Sequence, residues 1–309
     1  MAAATAGLIP YVGSMPDAER TLARPTDHDL FATVRFLRMG RNDPTMRIAD
    51  QELVRTMRTP DGPATLFVRA VGERFLIRGF GPGAERVVAA APAYLGLEDS
   101  PHAFAPDHPR LARMLVEQGP VYLPRVDAWV EALVAIILQQ LVTFLEATSG
   151  WGRLVRRFGE PAPGPVPLTV FPDPKVLVRL PVHVWRQVGI GQKRAATVVR
   201  VCERAGRIEG LRNQPLETIR SKLTTLRGIG PWTVESFCGM CLGDGDALPP
   251  GDIHLPNDVA WAIAGEPRAD DARMFELLEP YRPHRWRVVR LLYHAGLTAP
   301  RRGPKRARR

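Results

Sequence analysis

Two short glycine turns, each set between stretches of helical apolar spacing, constrain the fold of this chain most strongly. Residues 188–191 read Val-Gly-Ile-Gly, and residues 227–230, 39 positions further on, read Arg-Gly-Ile-Gly. Glycine permits positive φ and lets two backbones approach closely. Each segment therefore predicts a helix–tight turn–helix unit, although helix packing alone could also require such a pair.

The rest of the chain divides into two textures around these units. Apolar runs at 66–71 and 74–80 flank Gly72-Glu73, which predicts a β-hairpin, and residues 84–95 predict a helix. Residues 101–109 are rich in turn formers and predict a connector. Beyond about 120 the spacing is helical, with a long helix predicted from Asp127, its expected N-cap, to about Leu141, and further helices at 175–180, 182–188, 192–206, 215–226, 231–242, 253–264, 270–278 and 283–295.

These textures predict four segments. We expect a loose arm at 1–25, a small α+β domain at 26–118, an all-helical domain at 119–300 and a disordered basic tail at 301–309. The net charge is +10, and the tail alone carries six positive charges. Such a tail suits an anionic polymer such as DNA, and a merely solubilising end is the alternative.

The second glycine turn predicts an anion site. Leu226 and Ile229 can anchor the turn in the core, and Pro231 suits the first position of the next helix. The N–H groups of Gly228 and Gly230 would then point outward at a helix N-terminus, where backbone amides and the helix dipole attract phosphate. A plain turn between two helices is the alternative interpretation.

A single carboxylate follows at a rigid loop. Asp252 comes after Pro249-Pro250-Gly251 and before a predicted helix, so it is a candidate N-cap. A helix N-terminus also keeps a carboxylate ionised, and such a group can stabilise a developing cation or activate water. Capping alone remains the alternative. Asp258 is the rival carboxylate, expected two turns into the next helix.

Together these features resemble the helix–hairpin–helix DNA glycosylase superfamily, and within it the 3-methyladenine DNA glycosylase II group. The resemblance rests on the hairpin at 226–233, the loop with Asp252, and the segments at 135–143 and 189–195, and it covers roughly residues 25–295. It implies an α+β N-terminal domain followed by an all-α helix–hairpin–helix domain. The implied reaction is hydrolysis of the N-glycosidic bond of a base flipped out of double-stranded DNA.

The resemblance also implies residue roles. Asp252 would be the catalytic carboxylate. Trp232 stands where bifunctional relatives carry a Schiff-base lysine, so we expect a monofunctional enzyme that leaves an abasic site. The base pocket would be lined by Trp232 and Ser236, with either His284 or Trp286 stacking on the base. For Trp232, a place in the core is the alternative.

The remaining implied contacts are with DNA. Leu141 would fill the gap left by the flipped base, or else continue the apolar stripe of its helix into the core. The DNA-binding residues implied in all are Gly228, Ile229, Gly230, Thr233, Gln140, Leu141, Gly191, Lys193 and Arg194.

Cysteine usage argues against a metal centre. Cys238 and Cys241 lie one helical turn apart, which favours core packing, and no cysteine follows them, whereas relatives with an iron–sulfur cluster carry four near the C-terminus. We expect no cluster and no zinc, while the resemblance implies a loosely held monovalent cation on hairpin carbonyls.

The setting follows from what the sequence lacks. No apolar run reaches the length of a membrane span and no signal peptide is recognised, so we expect a cytoplasmic, nucleoid-associated monomer from a bacterium.

Two further questions stay open on sequence alone. Alkylated purines are the favoured substrates, but Ser236 stands where the best-known members carry an aromatic residue. Hypoxanthine, uracil, an oxidised base or a crosslink are therefore alternative lesions. A DNA-binding protein that keeps the hairpin without catalysis is the alternative from a different functional class.

Overall fold

The computed structural model describes residues 15–301, and its N-terminal part is built on one antiparallel sheet. Five strands pair in the order β1-β5-β4-β3-β2. Val71 pairs with Arg74 across Gly72-Glu73, so the predicted β-hairpin is confirmed. The strands are β1 Ala18–Ala23, β2 Met46–Ile48, β3 Glu52–Thr59, β4 Gly62–Val71 and β5 Arg74–Phe80.

The expected loose arm is wrong in its last part. Residues 18–23 form β1, which pairs along its whole length with β5 at the sheet edge. This strand has little apolar alternation because most of its side chains face solvent, so its sequence carries a weak strand signal. Residues 1–14 and 302–309, which include most of the basic tail, lie outside the described residues.

Helices make up most of the remaining structure, with 3₁₀ turns at Arg35–Leu37, Pro101–Ala103 and Glu279–Tyr281. A two-stranded ladder joins β6, Glu160–Pro161, to β7, Thr169–Val170. The helices are α1 Leu30–Val34, α2 Ala84–Tyr94, α3 Pro109–Gln118, α4 Trp129–Ile137, α5 Phe144–Phe158, α6 Pro174–Val178, α7 Val182–Gln187, α8 Gln192–Glu203, α9 Ala205–Glu209, α10 Leu216–Thr224, α11 Pro231–Cys241, α12 Leu255–Ile263, α13 Asp271–Leu278 and α14 Arg285–His294.

The long helix predicted from Asp127 to Leu141 is wrong at both ends. Helix α4 stops at Ile137, and Leu141 has φ +55°, which an α-helix cannot contain. Asp127 does not cap α4, because its carboxylate binds Arg86 and Arg212 instead. Helix α5, which the sequence analysis missed, begins after this interruption and is capped by the Thr143 hydroxyl, which accepts from the Glu146 N–H.

A buried ion pair fixes the sheet to the helices. Arg55 of β3 lies 2.5 Å from the Glu131 carboxylate of α4, and both side chains are almost fully enclosed. Removing either partner would leave an uncompensated buried charge, which is strongly destabilising. Helix α4 is therefore held against the sheet, and the turn that follows it starts from a fixed point. Between residues 15 and 301, no helix combines the length and apolarity that crossing a membrane requires.

Candidate functional site

Both predicted helix–turn–helix units are confirmed, and they pack against each other. The first joins α7 to α8 with Gly189 at φ +76°, and the second joins α10 to α11 with Gly228 at φ +95°. A Cβ added to Gly228 would come within 2.2 Å of the Thr197 hydroxyl. Since Thr197 lies on α8, the second hairpin rests directly on the helix that the first hairpin starts.

The second hairpin presents free backbone donors at the start of α11. Within residues 15–301, neither Gly228 N–H nor Gly230 N–H donates to another protein group. Ile229 is buried and anchors the turn, whereas a Cβ at Gly230 would meet open space. Pro231 occupies the first turn of α11 as predicted. The arrangement leaves two amides and the positive end of a helix dipole available to an anion.

The turn after α4 is clamped to this hairpin. The Gln140 amide donates to Gly228 O at 3.0 Å and to the Thr233 hydroxyl at 2.8 Å. Leu141 follows with 95% of its side chain exposed and with a positive φ. The alternative that Leu141 belongs to the core is therefore wrong. An apolar side chain is held outward on a strained backbone, directly beside the free amides.

Asp252 is held by three hydrogen-bond donors. Its Oδ1 accepts from His254 N–H and Leu255 N–H, each at 2.9 Å, and its Oδ2 accepts from the Trp232 indole at 3.0 Å. The N-cap position of α12 is occupied by His254, so Asp252 caps the helix from two residues upstream. Donors on both oxygens favour the ionised carboxylate and fix its orientation.

The indole bond to Asp252 is the contact that sequence reasoning missed. Trp232 is half-buried and also packs against the core, so the pocket and core interpretations of this residue both hold in part. Its N–H joins the first turn of α11 to the loop before α12. The hairpin and the carboxylate thus form one connected site.

The rival carboxylate has a different surrounding. Asp258 lies in the first turn of α12, not two turns in, and is buried. Its Oδ1 accepts from Ala299 N–H at 2.8 Å, and burial raises its pKa. It fastens the segment that follows α14 to α12.

Two of the predicted pocket residues lie away from Asp252. His284 is at the N-terminal end of α14, where its ring packs 5.7 Å from that of Phe104, and Trp286 is buried against Gly239. Burial and Arg287 lower the pKa of His284. Stacking by His284 or Trp286 beside Asp252 is therefore corrected, because both stand at the wrong end of a ten-residue helix.

Tyr293, at the other end of α14, is the aromatic residue near the carboxylate. Desolvation of its hydroxyl, with a further contribution from the charge of Asp252, raises its pKa. Ser236, one turn after Trp232, is buried on α11. The sequence signal for Tyr293 was only its aromatic character on the last helix, three turns beyond His284.

The first hairpin contributes less than expected. Gly191 and Lys193 are exposed at the start of α8. Arg194 instead lies beneath the turn after α4, where it donates to Leu138 O at 2.8 Å and pairs with Glu146 at 2.8 Å. Its guanidinium supports the position of Gln140 and Leu141 from within the protein.

The fit of a metal was tested on the donor atoms. The carbonyls of Leu226, Arg227 and Gly228 already accept from Ile229 N–H, Arg200 and Gln140. A cation would have to share these oxygens, and we assign it no step in the reaction. Cys238 and Cys241 are buried in the core, and residues 15–301 contain no group of three metal-binding side chains.

Comparison with known proteins places this geometry in a fold. No protein-family model matches the chain. A segment of 111 residues is 29% identical to the "Putative DNA-3-methyladenine glycosylase YfjP" of Bacillus subtilis, a match that covers 35% of this chain and only 38% of that protein.

Solved structures cover far more of the chain. The 3-methyladenine DNA-glycosylase of Archaeoglobus fulgidus superposes with a TM-score of 0.74 at 19% identity, over 89% of this chain and 98% of that one. The Clostridium acetobutylicum 8-oxoguanine glycosylase/lyase, solved with double-stranded DNA, gives 0.61 at 12% identity, over 81% and 97%. The chain therefore has the helix–hairpin–helix DNA glycosylase fold.

Proposed function

We propose that this protein is a monofunctional DNA glycosylase that flips a damaged base out of duplex DNA and hydrolyses its N-glycosidic bond. The observation that carries the proposal is the carboxylate of Asp252. It is fixed by the Trp232 indole and two backbone amides, next to a hairpin with free N–H groups. A packing or capping role alone would not require the bond to the hairpin's own tryptophan.

The proposed reaction uses the charge of Asp252. As the bond between C1′ and the base nitrogen breaks, its electron pair leaves with the base and the sugar becomes oxocarbenium-like. A preoriented carboxylate stabilises that positive charge, and water adds its oxygen to C1′ while its proton is released. Leu141 would enter the stack as the base leaves, and the hairpin amides would bind a backbone phosphate.

Hydrolysis without strand cleavage is supported by Trp232. An imine requires an amine, and the residue at the hairpin position next to Asp252 is an indole bonded to the carboxylate. Of the lysines within residues 15–301, Lys193 and Lys222 are exposed on α8 and α10. The product would be an intact strand with an abasic site.

Damaged purines, and alkylated ones first, are the proposed substrates. The names of the Bacillus and Archaeoglobus proteins support 3-methyladenine-type lesions. The Clostridium protein has the same fold and a different lesion in its name, so hypoxanthine, uracil or an oxidised base are the alternatives. We also propose that the enzyme acts as a monomer in the bacterial cytoplasm.

The same proposal extends to domain organisation. We propose an α+β domain up to about residue 118, with β1 included, followed by an all-α catalytic domain at 119–300. Helix α3, at the end of the first segment, packs against α12 and α14 and so joins the two.

Asp252→Asn tests the proposal, because it keeps the shape of the side chain and removes its charge. Losing several kcal/mol of transition-state stabilisation should slow base release by roughly a thousandfold, with duplex binding nearly unchanged. Single-turnover release is measured on duplexes that carry one lesion each from the panel above. Asp258→Asn is the matched control and should keep activity in whatever fraction folds. Asp252→Asn rates within tenfold of wild type would contradict the assignment, and release of no lesion by wild type would favour the non-catalytic alternative.

A further inference from the structure

The cation at Arg290 on α14 has no role in the reaction as derived above. Its side chain is only 4% exposed, and within residues 15–301 its Nε has no hydrogen-bond partner. A hydrogen bond joins Nη2 to His294 Nε2 at 3.2 Å. Over the same described range no carboxylate forms an ion pair with it. Burying an unneutralised charge is costly, and a fold that tolerates one invites a functional explanation.

The groups around Arg290 do not neutralise it. Its guanidinium carbon lies 3.4 Å from the centre of the Phe36 ring, so a cation–π contact supplies part of the missing stabilisation. Burial, with Arg290 and Arg35 nearby, lowers the pKa of His294 to about 3, so this imidazole is neutral. Tyr293 is also neutral, and Arg35 adds a second positive charge. Burial lowers the pKa of Arg290 to about 9, which leaves it charged at neutral pH.

Arg290 lies between the carboxylate and the turn that carries Leu141. It is one helical turn before Tyr293, whose hydroxyl senses the charge of Asp252. On the other side, Phe36 lines a small internal cavity together with Gln139 and Phe144, which flank the Gln140–Leu141 turn. A base that leaves the stack at Leu141 and brings its sugar to Asp252 would have its far edge toward this cation.

We propose that Arg290 is a specificity-determining residue that selects against bases carrying a fixed positive charge and favours neutral bases with a carbonyl acceptor. This inference rests on the proposed function and narrows its substrate class. Alkylation at N3 or N7 makes a purine nucleoside cationic, whereas hypoxanthine and many other damaged bases are neutral.

The chemistry of departure supports the same selection. A cationic base takes the electron pair of the broken bond and leaves neutral, so it gains nothing from a nearby cation and is repelled by it before the bond breaks. A neutral base takes the same pair and leaves with negative charge, which a guanidinium stabilises. A unit charge about 8 Å away at an effective dielectric constant near 20 changes such a rate by roughly thirtyfold.

The experiment compares two substrates within each variant. Single-turnover base release is measured on two duplexes of identical sequence, one with 7-methylguanine as the cationic base and one with hypoxanthine as the neutral base. Arg290→Met keeps length and apolar contact with Phe36 but removes the charge, and Arg290→Lys keeps the charge. Melting temperatures establish that each variant is folded, and Arg290→Gln replaces Arg290→Met if the latter does not fold.

The ratio of the two rates decides. We expect Arg290→Met to raise the 7-methylguanine to hypoxanthine ratio at least tenfold, while Arg290→Lys stays within threefold of wild type. A structural role would lower both rates together, and an unchanged ratio in Arg290→Met would overturn the inference while leaving Asp252-dependent release intact. Wild-type protein that releases no base from any duplex would overturn the proposed function, and this inference with it.

Discussion

Replacing Leu141 should have opposite effects on stability and on activity. Its side chain is 95% exposed and its φ is +55°, a region in which a non-glycine residue costs about 1–2 kcal/mol. Leu141→Gly removes that strain but adds freedom to the unfolded chain, so we expect the free energy of unfolding to stay equal or rise by up to about 1 kcal/mol. Leu141→Ala should leave it unchanged.

Activity should fall in both variants. If Leu141 enters the DNA stack, the damaged complex buries a leucine that the free protein exposes, a gain of about 1.5–3 kcal/mol. Without that gain, base release should be slower by roughly 10- to 150-fold. Urea denaturation measures the first effect and single-turnover release at subsaturating enzyme the second.

Val116→Ala is the matched control. Val116 is an aliphatic residue on α3 with 86% exposure, so its truncation should change neither quantity. A loss of stability above about 1 kcal/mol in Leu141→Ala would show that the side chain is part of the protein's own packing. Unchanged release in both Leu141 variants would refute the reasoning from exposure to function.

The remaining predictions concern DNA binding. Gly230→Asp has ordinary φ and open space for its side chain, so it should fold normally yet lower duplex affinity at least tenfold, since it puts an anion at the phosphate site; Gly206→Asp, also in open space on α9, is the control, and equal affinity of the two variants in fluorescence anisotropy would argue against a hairpin phosphate contact. Deleting residues 301–309 should weaken non-specific binding and flatten the log–log salt dependence by about 0.9 for each phosphate that the tail neutralises, whereas an identical slope would mean that the tail only solubilises.

Local signals predicted much of the fold. The hairpin at Gly72-Glu73, the two glycine turns and Pro231 at the start of α11 each follow from the conformational limits of a few residues, and the structure has them where the sequence indicated. Helix α5 was missed because Gly150 and Gly152 weaken its propensity, and α4 was drawn too long because Leu141 continues the apolar spacing while its backbone leaves the helix.

The candidate site was less predictable because its contacts join distant segments. The bond from Trp232 to Asp252 spans 20 residues, and the buried stack of Arg290 on Phe36 spans many more. Nothing in the local sequence gives the rotation of α14, so His284 was expected where Tyr293 lies. Residues defined by local backbone chemistry were predictable, and residues defined by helix packing needed the structure.

The most direct test of the account is the fate of the DNA strand after its base has been released. Wild-type protein is incubated with a labelled duplex whose lesion it releases, and the strand is examined before and after hot alkali, with a parallel sample treated with borohydride. The account predicts an intact strand that breaks only after alkali, no trapped protein–DNA adduct, and no release by Asp252→Asn. Strand breakage at the rate of base release, with a trapped adduct, would contradict it and show that an amine rather than the Asp252 carboxylate carries the chemistry.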